Sequence, residues 1–430
     1  MSGQKPLLCK VTFVLLLANL TSSLLFIGAV NRPVFDDISN GADVLRYVDQ
    51  GITVKTLRQH INPAGPGSYI WMSVAGRLFG AQLHVFRLAI LASWACLGIG
   101  VYFIATYAAE RDYVYSTLLA ALIAPHAGLA SATMLTEGPA LFFATIGSLM
   151  WIVGATACPS TRMASARTLA GGLLMGVAVC CRQYYLALIP AMAVSAVFIP
   201  QFSIRDRWIT IALSGAAAVL PILVLVIIWN GLTSPGITSG NSYEGQWSAH
   251  LAFNWMRPLP AVFYLAVYMC PLSFPLVASL QRRQLWCATM FAVSVFIAVM
   301  ATSPDILQWG PIKSGIEAIG ARSGYQRVLL AALTAVVAFN AWGVTDASII
   351  EWKRLGPLCS FSIFFLLFFV IEQVGVGGNI QFYERYTLQA APFLGLIGLR
   401  LVPRLDCMRL GSVCTMFAFS HWMLWRYWHA

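Results

Sequence analysis

A pair of adjacent acids, Asp36 and Asp37, stands a few residues past the first long apolar run of this 430-residue chain, where an amphipathic pattern begins. The positive end of a helix favours the ionised form of a carboxylate in its first turn. Ionised, and facing a groove at the membrane–water boundary, such a group can take a proton from an alcohol that attacks an electrophilic carbon. The plainer alternative is that the two acids cap a helix. Neighbouring helix positions diverge by about 100°, so the two carboxylates serve different atoms. One acts as base and the other as a positioning group.

Two arginines are the matching cations. Arg182, in Cys181-Arg182-Gln183-Tyr184-Tyr185, divides a 32-residue apolar stretch that is too long for one span. A guanidinium at the bilayer centre costs roughly 2.5–3.5 kcal/mol, so Arg182 marks a turn at the outer face. Arg385, in Phe382-Tyr383-Glu384-Arg385-Tyr386, opens a later span from the same side. Their planar forks match phosphate oxygens bidentately; the alternative is interfacial snorkelling, or an ion pair with Glu384 for Arg385. Glu137, in Thr136-Glu137-Gly138-Pro139, reads as an N-terminal helix acid with Thr136 as cap, and secondly as a group that shapes the pocket. The Ser-, Gly- and Asn-rich loop 231–258 holds Tyr243, Glu244, Trp247, His250 and Trp255. Groups of this kind bind sugar hydroxyls and stack on pyranose faces, or else form an ordinary solvated loop with interfacial tryptophans. His60, His84 and His250 lack metal-ligand spacing, so neither a metal nor a cofactor is expected.

The elements that carry these residues are membrane helices. Hydrophobic residues make up 59% of the chain and charged residues 10%, with a mean hydropathy of +0.75. Soluble domains carry about 25% charged residues, which excludes an ordinary soluble fold. The net charge of +11 does not indicate a nucleic-acid partner, because the Lys and Arg punctuate apolar runs as orientation signals. The runs at 11–30, 88–108, 115–130, 139–157, 169–181, 184–199, 208–229, 259–280, 285–302, 328–344, 358–374, 387–399 and 411–425 give about thirteen spans. With the N-terminus inside, short basic connections alternate with connections that hold nine of the sixteen acids, with Glu372 near the outer end of its span, so the chemistry faces the extracytoplasmic side. The first apolar run is read as an uncleaved span and not as a signal peptide, since it is long and no small-residue cleavage site follows.

The first outer loop, 31–87, should hold two surface helices. Residues 38–48 repeat apolar side chains at helical spacing, and 68–79 would extend only about 18 Å, too short to cross. Between them Asn62-Pro63-Ala64-Gly65-Pro66-Gly67 cannot be helical. The ten cysteines lie in or beside apolar runs, which argues against a disulfide framework. No inverted halves of the kind found in many transporters are visible. The chain reads as a single integral membrane domain, 1–430.

The order of these pieces is a span, an acidic pair, a surface helix, a Pro/Gly turn before an aromatic, a short helix, then many spans with an Arg-Tyr near the last ones. It resembles the C-type (GT-C) membrane glycosyltransferases that use polyprenyl-phosphate sugars, and within them most the α-1,2-glucosyltransferases that cap the lipid-linked glycan. The pieces are Phe35-Asp36-Asp37, Asn62-Pro63-Ala64-Gly65-Pro66-Gly67-Ser68-Tyr69, Cys181-Arg182-Gln183, Asn230-Gly231 followed by His250, and Tyr383-Glu384-Arg385-Tyr386. Asp37 stands where that family usually has Glu, and Glu137 matches the acid of its second outer loop.

The resemblance implies an all-α polytopic GT-C fold. It also implies a polyprenyl-monophosphate sugar donor and a glycan, lipid or protein acceptor. Asp36 becomes the general base, Asp37 positions the acceptor or supports that base, and Arg385 with Arg182 holds the lipid phosphate. Glu137, Tyr69, Glu244, Trp247, His250 and Tyr383 become substrate contacts. Compact loops favour a bacterial inner membrane over an endoplasmic reticulum. The competing classes are a secondary transporter, a polysaccharide polymerase or ligase with a diphosphate-linked donor, and a non-enzymatic assembly protein.

Overall fold

The computed structural model describes residues 5–34, 37–62, 64–108, 111–156, 162–199, 203–239, 258–277, 281–302, 316–317, 323–350, 356–375, 384–401 and 407–429. Every regular element among them is helical. In the first half these are α1 (Lys5–Ala29), α2 (Asp37–Gln50), α3 (Val54–Arg58), α4 (Gly67–Phe79), α5 (Leu83–Tyr107), α6 (Arg111–Ile123), α7 (Ala127–Ala132), α8 (Glu137–Thr156) and α9 (Arg162–Cys181). A 3-10 segment, Gln183–Ala187, leads into α10 (Leu188–Val197), α11 (Ile204–Trp229), α12 (Pro235–Ser239), α13 (Pro258–Val277) and α14 (Arg282–Thr302). Then come α15 (Ser323–Ile350), α16 (Gly356–Gly375), a second 3-10 segment Glu384–Gln389, α17 (Ala391–Leu401) and α18 (Cys407–His429).

Seven stretches among the described residues are long and apolar enough to cross a bilayer: Leu7–Ala29, Leu83–Tyr107, Glu137–Thr156, Ile204–Trp229, Arg282–Thr302, Tyr325–Ile349 and Gly356–Val374. Four more, Tyr113–Ile123, Ser165–Cys181, Gln183–Val197 and Pro258–Tyr268, are apolar but shorter. The chain is thus an all-α, polytopic membrane protein; among the described residues, fewer helices are of full spanning length than the thirteen apolar runs suggest. Helix breaks account for part of the difference. The run 115–130 is not one helix, because α6 stops at Ile123 and α7 starts at Ala127. Pro125 lies between them, lacks a backbone N–H and disfavours helix in the residue before it.

In a bilayer, close packing and hydrogen bonds hold helices together, since lipid is as apolar as leucine. Here α8 lies along α9, α9 along α11, α6 along α17 and α14 along α15. Buried polar groups join α1, α7 and α18. Ser131 Oγ reaches Asn19 Oδ1 at 3.2 Å and Ser23 Oγ at 2.8 Å, Gly128 N donates to Ser420 Oγ at 2.9 Å, and Trp425 Nε1 donates to Ser22 Oγ at 3.0 Å. Eight cysteines among the described residues are free thiols.

Both helices expected in the first loop are present, as α2 and α4, with α3 as an unforeseen turn between them. Thr53 and Thr56 close α3 with a reciprocal capping box. This loop has its own small core. Val44, Tyr47, Tyr69, Met72 and Phe86 are buried beside Ile90 of α5 and Met134 of the α7–α8 connection. Each such side chain contributes roughly 1.5–3 kcal/mol on full burial, so the loop is a packed platform on one end of the bundle.

Candidate active site

The platform begins at Asp37, the first residue of α2, which is 2% exposed. Both of its oxygens are engaged. Oδ2 accepts from the Val34 N–H at 3.0 Å and from Arg87 Nε at 3.2 Å and Nη2 at 2.6 Å, while Oδ1 accepts from the Met134 N–H at 2.7 Å. Arg87 is wholly buried in the second turn of α5. It also donates to the carbonyls of Val30 at 2.5 Å and Arg32 at 2.7 Å, and its guanidinium lies 5.8 Å from the Phe26 ring centroid. One ion pair therefore ties the end of α1, the start of α2, α5 and the α7–α8 connection together. Asp37 is a closed structural joint, and Asp36 is the residue just before it in the sequence.

One turn further, Asn40 donates to the Met134 carbonyl at 2.7 Å and accepts from the Tyr69 hydroxyl at 2.9 Å and from Asn62 Nδ2 at 3.1 Å. Tyr69 is fully buried, so its hydroxyl anchors α4 to α2. Asp43 takes the N–H groups of Ile61 and Asn62, a 2.6 Å bond from Arg46, and lies 3.1 Å from His60 Nδ1. Burial pushes the Asp43 carboxyl up. The hydrogen bond and charge of His60, the Arg46 charge and the Ile61 N–H outweigh that and hold it below the usual carboxylate range. His60 Nε2 lies 2.6 Å from the Ala64 carbonyl, and Tyr47 lies 3.2 Å from Nδ1. Burial, then the Asp43 charge, push the Tyr47 hydroxyl well above its ordinary range, so it stays protonated. This cluster pins the Pro/Gly turn to α2.

The turn in its place meets the end of α9. A Cβ on Gly65 would land on the carbonyl oxygen of Cys180, and one on Gly67 would lie 2.6 Å from Cys181 Sγ. Backbone cannot yield to such a contact cheaply. Gly65→Ala is expected to cost at least about 1–3 kcal/mol, read as a lower unfolding temperature of the purified protein. A variant as stable as wild type would contradict this contact.

Beyond Gly67, Ser68 Oγ donates to the Thr136 carbonyl at 2.8 Å, which brings the next residue, Glu137, to the same place. Glu137 opens α8, and its Oε1 lies 2.5 Å from Arg182 Nη2. Arg182 stands in extended backbone between α9 and the 3-10 segment, the turn its charge requires. Three residues on, the Tyr185 hydroxyl donates to the Gln389 carbonyl at 3.3 Å. Gln389 ends the 3-10 segment Glu384–Gln389, whose second residue is Arg385 and which also packs on α8. The contacts thus run from Asp37 to Met134, from Glu137 to Arg182, and from Tyr185 to the Arg385 segment. Asp36, Glu244, Trp247, His250 and Tyr383, and the Arg385 side chain, lie outside the described residues.

Beside this junction is an apolar groove of about 720 Å³, walled by Trp71 and Val74 of α4, Phe143 of α8, Val177 of α9 and Leu220 and Val224 of α11. Pro66, Gly67 and Cys180 also line it, and Cys180 stands two residues before Arg182 in the chain. Among the described residues, no three His, Cys, Asp or Glu side chains converge as a metal site.

Arg87, Asn40, Asp43 and His60 were not singled out as site residues in the sequence. Arg87 carries a usable signal. An arginine in the second turn of an apolar helix needs a counter-charge, and the acids before it on the same outer loop are Asp36, Asp37, Asp43 and Asp49.

No protein-family model and no curated protein matches the chain. Two crystal structures of ArnT from Cupriavidus metallidurans are similar to it. The apo form has 15% identity and a TM-score of 0.40, covering 96% of this chain and 76% of that one. The form bound to undecaprenyl phosphate has 13% identity and a TM-score of 0.42, covering 96% and 77%.

Proposed function

We propose that the protein is a GT-C-type glycosyltransferase that moves a sugar from a polyprenyl-monophosphate donor to a hydroxyl acceptor on the extracytoplasmic face. One observation carries this reading. A run of contacts links the start of α2, the α7–α8 connection, the Arg182 turn and the Arg385 segment, and Gly67 and Cys180 next to that run line an apolar groove. A long apolar tail suits the groove, whose volume is within the range of ligand sites, roughly 300–1,000 Å³. An anionic head suits Arg182, two residues past the Cys180 of its lining. The undecaprenyl phosphate in one ArnT structure has this tail-and-head chemistry.

Asp36 would remove the acceptor proton while the acceptor oxygen attacks the anomeric carbon. The bond to the phosphate oxygen breaks as the new glycosidic bond forms, which inverts the anomeric centre in one step. A phosphate monoester leaves without a proton, so one carboxylate suffices where cations neutralise the developing charge. Arg182 and Arg385 supply that charge. Asp37, with both oxygens occupied, supports the base through the Arg87 joint.

Transfer by the purified full-length protein in lipid nanodiscs tests this directly, with unlabelled polyprenyl monophosphate or diphosphate as competitor. Monophosphate is expected to inhibit at least about tenfold more strongly. Stronger inhibition by diphosphate would favour a polymerase or ligase. Solute uptake by vesicles lacking lipid-linked sugar would favour a transporter.

A further inference from the structure

This inference rests on the donor site proposed above and concerns how that site releases its product. The Arg182–Glu137 pair is lopsided. The carboxylate side chain is 1% exposed and the guanidinium side chain 11%. Arg182 follows Cys180, which lines the groove, by two residues, and it is the more exposed partner of the pair. The carboxylate is also rigidly held. Glu137 is in the first turn of the 20-residue α8, which lies along α9, and Ser68 fixes the preceding Thr136 carbonyl.

A guanidinium buried here without a counter-charge would be costly. It would also grip a phosphate monoester, with its charge of about −1.5 to −2, through charge-assisted bidentate bonds. A transferase whose product is itself a lipid phosphate has to let that group go. We propose that Glu137 is a positioning residue, a built-in counter-ion that aims Arg182 at the groove, repels the bound phosphate, and takes over the guanidinium as the phosphate lipid leaves. Glutamine keeps the size and the acceptor oxygen but removes the charge. Aspartate keeps the charge but draws it back by one carbon.

The test measures binding of a polyprenyl monophosphate to the full-length protein in neutral-lipid nanodiscs, for wild type, Glu137→Asp and Glu137→Gln. kcat and KM for the donor are measured in parallel. Affinity is expected to rise about threefold for Glu137→Asp and about tenfold for Glu137→Gln. Donor KM and kcat should fall together as product release slows. A merely structural carboxylate would instead show weaker binding and a raised KM in both variants. Binding in both variants that is weaker than wild type, or within twofold of it, overturns the proposal. If Glu137→Gln fails to insert, Glu137→Asp alone decides. Wild-type protein that does not bind polyprenyl monophosphate would refute the donor site, which is a separate outcome.

Discussion

Replacing Asp36 by Asn is expected to lower kcat/KM for sugar transfer by about 10²–10⁴-fold, the usual contribution of a general base, while the protein still inserts and folds. An alcohol is a weak nucleophile until its proton has somewhere to go, and asparagine offers no basic oxygen. Because the proposed leaving group is a phosphate that departs unprotonated, no second acid can compensate. The neighbouring Asp37 cannot substitute either. Its oxygens are held by Arg87, Val34 and Met134, and it is 2% exposed. The informative measurement is single-turnover transfer alongside donor binding. Donor affinity should be near wild type, since the base does not touch the phosphate. Transfer at more than about a tenth of the wild-type rate would remove Asp36 as the base.

The second large effect is on stability. Arg87→Leu is expected to destabilise the protein by about 3–5 kcal/mol, the cost of stripping one partner from a buried ion pair. The loss leaves the Asp37 carboxylate without its counter-charge and the Val30 and Arg32 carbonyls without their donor. Transfer should fall with stability, because the same joint fixes the residue that follows Asp36. Adding Asp37→Asn to Arg87→Leu should recover part of the loss, since the orphaned charge is then gone. Unfolding temperatures of the three variants check this. A single variant that melts like wild type, or a double variant worse than the sum of the two single changes, would contradict the joint.

Legibility in the sequence differed from residue to residue. Asp37 was visible as a helix start because an acid at the opening of an amphipathic segment is a local signal, and α2 begins there. The turn at Arg182 was visible because a charge inside an apolar stretch is a local signal too. Glu137 and Arg182 were each noticed separately, but their pairing spans 45 residues and depends on how α8 meets α9. Arg87 and Asp37 lie 50 residues apart and meet only after α1, α2 and α5 have packed. Tyr69 was read as a substrate contact from its place beside the Pro/Gly turn. Its hydroxyl bonds Asn40 inside the small core, a burial that no linear pattern carries.

By itself the sequence determined the solvent of this protein, the ends of its apolar segments and the non-helical Pro/Gly turn, because hydropathy, backbone sterics and helix termini act within a few residues. Only the tertiary structure decided which charges neutralise one another, which carboxylate is closed off, and that α4, α8, α9 and α11 wall an apolar groove. The physical reason is range. Ion pairs, burial and cavities belong to segments tens or hundreds of residues apart, and their energies exist only once packing has brought those segments into contact.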